Sequence, residues 1–178
     1  MAGQRLTDKT ALEEQTGSGD LFMIVDVNDT TGSADGTSKK LDSKYVIQTD
    51  KFSLTNAEVK LLTDGSAPKT LVGALSGYMV TPISVTMLCT YASATESSSN
   101  NLYLGFDSSD DSAYWFQGRD VMNGKTTDIT YVMSAVPPGA GACATSILNK
   151  PFVMWTNAAL NGGWSCDVYV TYCYTKVL

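Results

Sequence analysis

Apolar and polar residues alternate along much of the second half of this chain. In "ISVTMLCTY", Ile83, Val85, Met87, Cys89 and Tyr91 fall on one side of an extended segment, with Ser84, Thr86 and Thr90 on the other. Successive side chains of a strand point to opposite faces, so this period predicts a half-buried β-strand. The pattern returns in "NLYLGF" (Leu102, Leu104, Phe106), "TDITYVM" (Ile129, Tyr131, Met133) and "CDVYVTYCYTKVL" (Cys166, Val168, Val170, Tyr172, Tyr174), while "AYWFQ" and "PFVMWT" are short aromatic strands. Turn-forming clusters, "SATESSSNN", "DSSDDS", "NGK", "PPGAGA" and "NAALNGG", separate them. Alternating strands with such punctuation predict a mainly β fold, an antiparallel β-sandwich or jelly-roll-like domain over residues 56–178.

Residues 1–55 have a different texture. Thr10 and Glu13 stand at capping-box spacing in "TDKTALEEQ", where hydroxyl and carboxylate satisfy the free N–H groups of a helix start, so a short helix is expected. "LFMIVDV" is a continuous apolar run without helical spacing and predicts a strand, and "TSKKLDSKYVI" predicts a short strand and turn. Thr55 and Glu58 form a second capping box ahead of Val59 and Leu62, predicting another short helix. The first 55 residues supply too little apolar surface to offset an ordering cost of about 1–2 kcal/mol per residue, so they are expected to order fully only on a partner.

The loop "DVNDTTGSADG" places the oxygens of Asp26, Asn28 and Thr30 on alternate residues, as a calcium loop does. Such a loop needs a glycine at its sixth position and a bidentate glutamate at its twelfth; here those positions hold Thr31 and Thr37, so a hairpin tip is expected. "FDSSDDS" gathers Asp107, Asp110 and Asp111, either as a solvated tip or as a hard-cation site, and no further ligand converges on it in the sequence.

Composition narrows the chemistry. The 178 residues carry a net charge of -6, and apart from Lys39 and Lys40 the lysines are scattered, which disfavours nucleic acid as a partner. No run of eighteen apolar residues occurs and the N-terminus has no apolar signal core, so neither membrane insertion nor export is expected. The absence of histidine removes the commonest general base and the usual zinc ligand. "SAPK", at Ser66 to Lys69, has the spacing of a Ser-x-x-Lys acyl-transfer motif, but Pro68 argues for a turn where that motif needs a helix. No cofactor, resident metal or enzymatic activity is expected. Cys89, Cys143, Cys166 and Cys173 lack the close-paired spacing of zinc or redox motifs. Cys166 and Cys173 fall on opposite faces of one predicted strand, so free, mostly buried thiols are expected.

Aromatic residues are the candidates for contact. Tyr114, Trp115 and Phe116 are consecutive, so at least one must leave the core side of its sheet. Trp155 and Trp164 lie near loops, and Tyr169 shares its strand face with Asp167 and Thr171. Such side chains serve either a subunit interface, the preferred reading, or a ligand such as a sugar ring.

"LEEQTGSGDLFMIVDV" followed by "TSKKLDSKYV" resembles the N-terminal segment of bacteriophage tail-fibre and virion appendage proteins. "SLTNAEVKLLTDGSAPKTLV", "ISVTMLCTYASA", "NLYLGF", "NKPFVMWT" and "DVYVTYCY" resemble a β-sandwich module of phage structural proteins, and together the two stretches span nearly the whole chain. The resemblance implies a virion-docking segment over 1–55 and a displayed sandwich over 56–178. It further implies a non-enzymatic virion protein, a head decoration, head fibre or tail fibre, usually homotrimeric and bound to other capsid or tail proteins. Assembly in the host cytoplasm fits both the missing signal peptide and the free cysteines. The alternative is a carbohydrate-binding module that reads host surface glycans through Trp115, Trp155 or Trp164.

Overall fold

The computed structural model describes residues 21–32, 34–42, 45–63, 68–106, 114–133 and 147–177, and the chain divides into two compact units, 1–43 and 44–178. In the first unit, β1 (Leu21–Asp26) pairs antiparallel with β2 (Thr37–Asp42) in an unbroken register from Leu21 opposite Asp42 to Asp26 opposite Thr37. The loop between them is tied by its own polar groups. The Asn28 N–H donates to Asp26 Oδ1 at 3.1 Å, and the Thr31 N–H and hydroxyl donate to Asp29 Oδ1 at 3.0 and 2.6 Å. Lys39 Nζ bridges Asp26 and Asp29 at 2.9 and 2.8 Å, and its hydrogen bond is the main reason the Asp29 carboxyl is held far below the usual carboxylate range. Asp26, the one carboxylate of the calcium-like spacing, thus joins Asp29 in holding a lysine across the hairpin. Gly36 closes the loop at φ +116°, where a Cβ would stand 2.8 Å from the Asp26 carbonyl oxygen, so only glycine fits. The helix expected at Thr10 to Glu13 lies outside the described residues.

The second unit is the expected antiparallel β-sandwich. It comprises β3 (Gln48–Leu54), helix α1 (Asn56–Lys60), β4 (Lys69–Val72), β5 (Tyr78–Tyr91), β6 (Leu102–Gly105), β7 (Tyr114–Gly118), β8 (Ile129–Met133), β9 (Phe152–Thr156) and β10 (Trp164–Lys176). One sheet has the order β3-β10-β5-β8 and the other β4-β9-β6-β7. Cys166, Val168, Val170 and Tyr172 of β10 and Val85, Met87 and Cys89 of β5 bury their alternate side chains in the same cluster as Leu102 and Leu104 of β6, Phe116 of β7 and Phe152 and Met154 of β9. Each buried Val, Leu, Phe or Met side chain among them contributes about 1.5–3 kcal/mol by leaving water.

The boundary expected at residue 55 is corrected to 43/44, because β3 is a full member of the sandwich, paired with β10 from Gln48 opposite Tyr172 to Leu54 opposite Cys166. Its inward row, Gln48, Asp50, Phe52 and Leu54, mixes polar and apolar residues, which hides the alternation that marks a strand. The polar members are accommodated by the Tyr172 hydroxyl, 2.7 Å from Asp50 Oδ2 and 3.1 Å from Gln48 Oε1. The second capping box forms as expected. Thr55 caps α1, Glu58 reaches back to the Thr55 N–H at 2.9 Å, and Val59 is buried. Lys69, the lysine of the Ser-x-x-Lys spacing, opens β4 and pairs with Glu58 at 2.8 Å; Ser66 lies outside the described residues.

Two bulges break the period of two. Leu104 faces Phe116 whereas Gly105 faces Tyr114, which makes Trp115 the extra residue on β7. Thr171 faces Ser84 and Tyr172 faces Pro82, so Ile83 is the extra residue on β5 and is 44% exposed, a correction to its expected place beside Val85. Pro82 is tolerated because the β8 ladder starts only at Val85, leaving that edge of β5 with no hydrogen bond to lose among the described residues.

Candidate functional site

The aromatic residues singled out from the sequence separate into distinct environments. Phe116 and Trp164 are inside the main core, and Trp164 meets the Tyr91 ring edge-on at 5.1 Å. The bulge turns Tyr114 to the opposite face of its sheet from Phe116, where it joins Tyr103, Val153 and the fully buried Trp155. Trp155 stacks on Tyr103 at 5.7 Å, and Tyr103 lies 5.3 Å from Tyr114. Trp115 is half-buried, packed against the core and edge-on to Phe106 at 6.2 Å. The aromatic sugar groove expected of Trp115, Trp155 and Trp164 is therefore not formed: Trp155 and Trp164 are sealed from solvent at 0% and 1% exposure. Both faces of the β4-β9-β6-β7 sheet absorb large rings. Asp107, Asp110 and Asp111 lie outside the described residues.

Tyr169 alone of the six lies on a solvent-facing sheet surface, as expected, in the same row as Asp167 and Thr171. Here the inward row of β10 is apolar and the outward row polar, the usual arrangement of an antiparallel sheet wetted on one side. Neighbouring strands complete the face in register. Ser53 and Leu88 flank Asp167, Lys51 and Thr86 flank Tyr169, and Thr49 and Ser84 flank Thr171. Ser53 donates to Asp167 Oδ1 at 2.6 Å, Lys51 Nζ reaches Asp167 Oδ2 at 2.9 Å, and the Thr49 and Thr171 hydroxyls are 2.9 Å apart. Hydrogen bonds from Ser53 and Lys51 hold the Asp167 carboxyl below its ordinary range, and the Lys51 ammonium lies 5.9 Å from the centre of the Tyr169 ring.

At one end of this face is a cleft of about 260 Å³ lined by Ser53, Leu54, Thr55, Thr90, Ser165, Cys166 and Asp167. Ser165 and Thr90 stand opposite each other across the β10–β5 ladder. Sequence reading singled out neither, because serine and threonine on an outward row are what any wetted strand shows; only the three-strand register brings them beside Asp167.

A second surface lies in the first unit. Met23, Val25 and Val27 are 71%, 57% and 68% exposed, and Phe22 and Ile24, on the other face of the hairpin, are 37% and 39% exposed. Lys39 is occupied by Asp26 and Asp29, whereas Lys40 stands beside Met23 on the more exposed face.

No protein-family model and no curated protein matches the chain. Among solved structures, a chain of the cyanophage Pam1 capsid asymmetric unit is similar over 98% of this chain and 99% of that one, at 12% sequence identity and a TM-score of 0.40.

Proposed function

We propose that this protein is a non-enzymatic structural component of a bacteriophage particle, docked through the β1–β2 hairpin and displaying the sandwich as a head decoration, head fibre or tail fibre. The observation that carries the reading is the exposed apolar hairpin, with Met23, Val25 and Val27 all more than half exposed. A two-stranded ribbon is marginal by itself and needs packing against something more, and this ribbon is the segment whose sequence resembles phage appendage N-termini. Other virion proteins are the partners this reading requires. The sandwich trimerises in this reading. The support for it is the outward surface around Ile83, Leu88 and Val132, exposed by 44%, 38% and 76%.

A mass-spectrometric inventory of purified particles tests the docking reading. The polypeptide is expected in stoichiometric amount, and particles that lack it overturn the proposal. Light scattering of the purified chain tests the trimer, and a monomeric mass overturns that part alone.

A further inference from the structure

We propose that the cleft between β3, β5 and β10 binds a neutral sugar, through hydroxyl groups and the Asp167 carboxylate and with no tryptophan platform. This goes beyond the docking reading and does not depend on it. The cleft, at about 260 Å³, lies just below the range of about 300–1,000 Å³ common for ligand pockets.

Its chemistry is specific in kind. Ser53, Thr55, Thr90 and Ser165 line it with hydroxyls, and Asp167 contributes the charge. The Thr55 hydroxyl donates to Glu58 and that of Ser53 to Asp167, whereas those of Thr90 and Ser165 have no protein partner among the described residues. Each free hydroxyl offers one donor and two acceptor lone pairs, the complement of a sugar hydroxyl.

The Asp167 carboxylate is already oriented, with Ser53 on one oxygen and Lys51 on the other. It therefore keeps lone pairs for a ligand O–H without rotating, and two vicinal hydroxyls match its two oxygens. Two residues along β10, about 7 Å away, is the half-buried ring of Tyr169, which offers an apolar face to the C–H side of a sugar. The same arrangement disfavours anions. Asp167 repels them, and the nearby cation, Lys51, is committed to that carboxylate. It offers little to a wholly apolar ligand, which would strand the hydroxyls without water.

The test uses the whole chain and a panel of glucose, galactose, mannose, N-acetylglucosamine and sialic acid, read by saturation-transfer NMR and by amide shifts of the labelled protein. At least one neutral sugar is expected to give transfer, with shifts centred on Ser53, Thr90, Ser165 and Asp167. Thr90→Val with Ser165→Ala is expected to weaken that binding about tenfold or more, as loss of two hydrogen bonds implies. Both positions face outward, and a matching amide spectrum elsewhere verifies the fold. Should the double variant not fold, the wild-type shift map decides. No transfer from any neutral sugar, stronger binding of sialic acid, shifts centred away from the cleft, or undiminished binding by a folded double variant each overturn the proposal. None of these results bears on whether the chain is found in particles.

Discussion

The Glu96 carboxylate, with no surface exposed to solvent, accepts the backbone N–H of Gly162 at 2.8 Å. The same oxygen takes the Asn161 N–H at 2.7 Å, and the other takes the Ser98 N–H at 3.0 Å and the Ser98 hydroxyl. Glu96 thereby joins the loop after β5 to the loop before β10. Burial is the largest single influence and raises its pKa, but the donated hydrogen bonds together outweigh it and hold the carboxyl below its ordinary 4.5.

Removing that carboxylate orphans several N–H donors, so Glu96→Ala is expected to cost about 3 kcal/mol in urea unfolding at neutral pH. Because the folded pKa is depressed, the contribution is fully present above about 4.5 and is lost as the pH falls through the lower folded value. The gap between wild type and variant should therefore narrow in acid. A gap independent of pH would show that packing, and not the charge, is what matters. Gly162→Ala should destabilise too, since a Cβ there would stand 2.6 Å from the Trp164 ring.

Glu58 gives a second acid-sensitive contribution with a defined window. The Lys69 ammonium, followed by the Thr55 N–H and hydroxyl, lowers its pKa from 4.5 to about 2. The stabilisation is present above 4.5 and disappears as the pH falls toward 2. Wild type should exceed Glu58→Gln in thermal midpoint at neutral pH, and the two should converge at the acid end. Added salt should shrink the neutral-pH difference as well, because the pair is exposed.

Cys89 and Cys166 sit opposite each other with their sulfurs 3.2 Å apart, both buried and free. Their mutual hydrogen bond, then burial, pushes the Cys89 thiol pKa up strongly, which keeps it from the nucleophilic thiolate form. Iodoacetamide is expected to modify Cys173, which is half-buried on the outward row, long before either of the pair. Peptide mapping of labelled protein, native and then unfolded, checks this. Early alkylation of Cys166 would mean that the β10–β5 ladder opens readily.

Met23→Asp with Val25→Asp places charges on the exposed hairpin face and leaves the sandwich untouched. Its unfolding free energy should stay within about 0.5 kcal/mol of wild type, while incorporation into particles is lost. Retained incorporation would show that the docking surface lies elsewhere.

Local chemistry was legible in the sequence wherever neighbours along the chain suffice to decide it. The Thr55–Glu58 capping box, the hairpin tip after β1, and the inward row Cys166, Val168, Val170 and Tyr172 need only short spacing or a period of two. Tyr169 and Cys173 went outward for the same reason. Tertiary structure decided the rest. β3 is a strand because β10 supplies its ladder and the Tyr172 hydroxyl meets the polar Gln48 and Asp50, partners more than a hundred residues away. A single extra residue, Trp115, puts Tyr114 and Phe116, which a period of two would place together, on opposite faces, and a bulge is set by the opposing strand, not by composition. Trp155 and Trp164 were candidates for an exposed groove because position near a loop says nothing of what folds over it. The sheet that buries Trp155 against Tyr103 and the Gly162 turn that seats Trp164 exist only once distant strands have paired, and that pairing is also what sets Ser53, Thr90, Ser165 and Asp167 around one cleft.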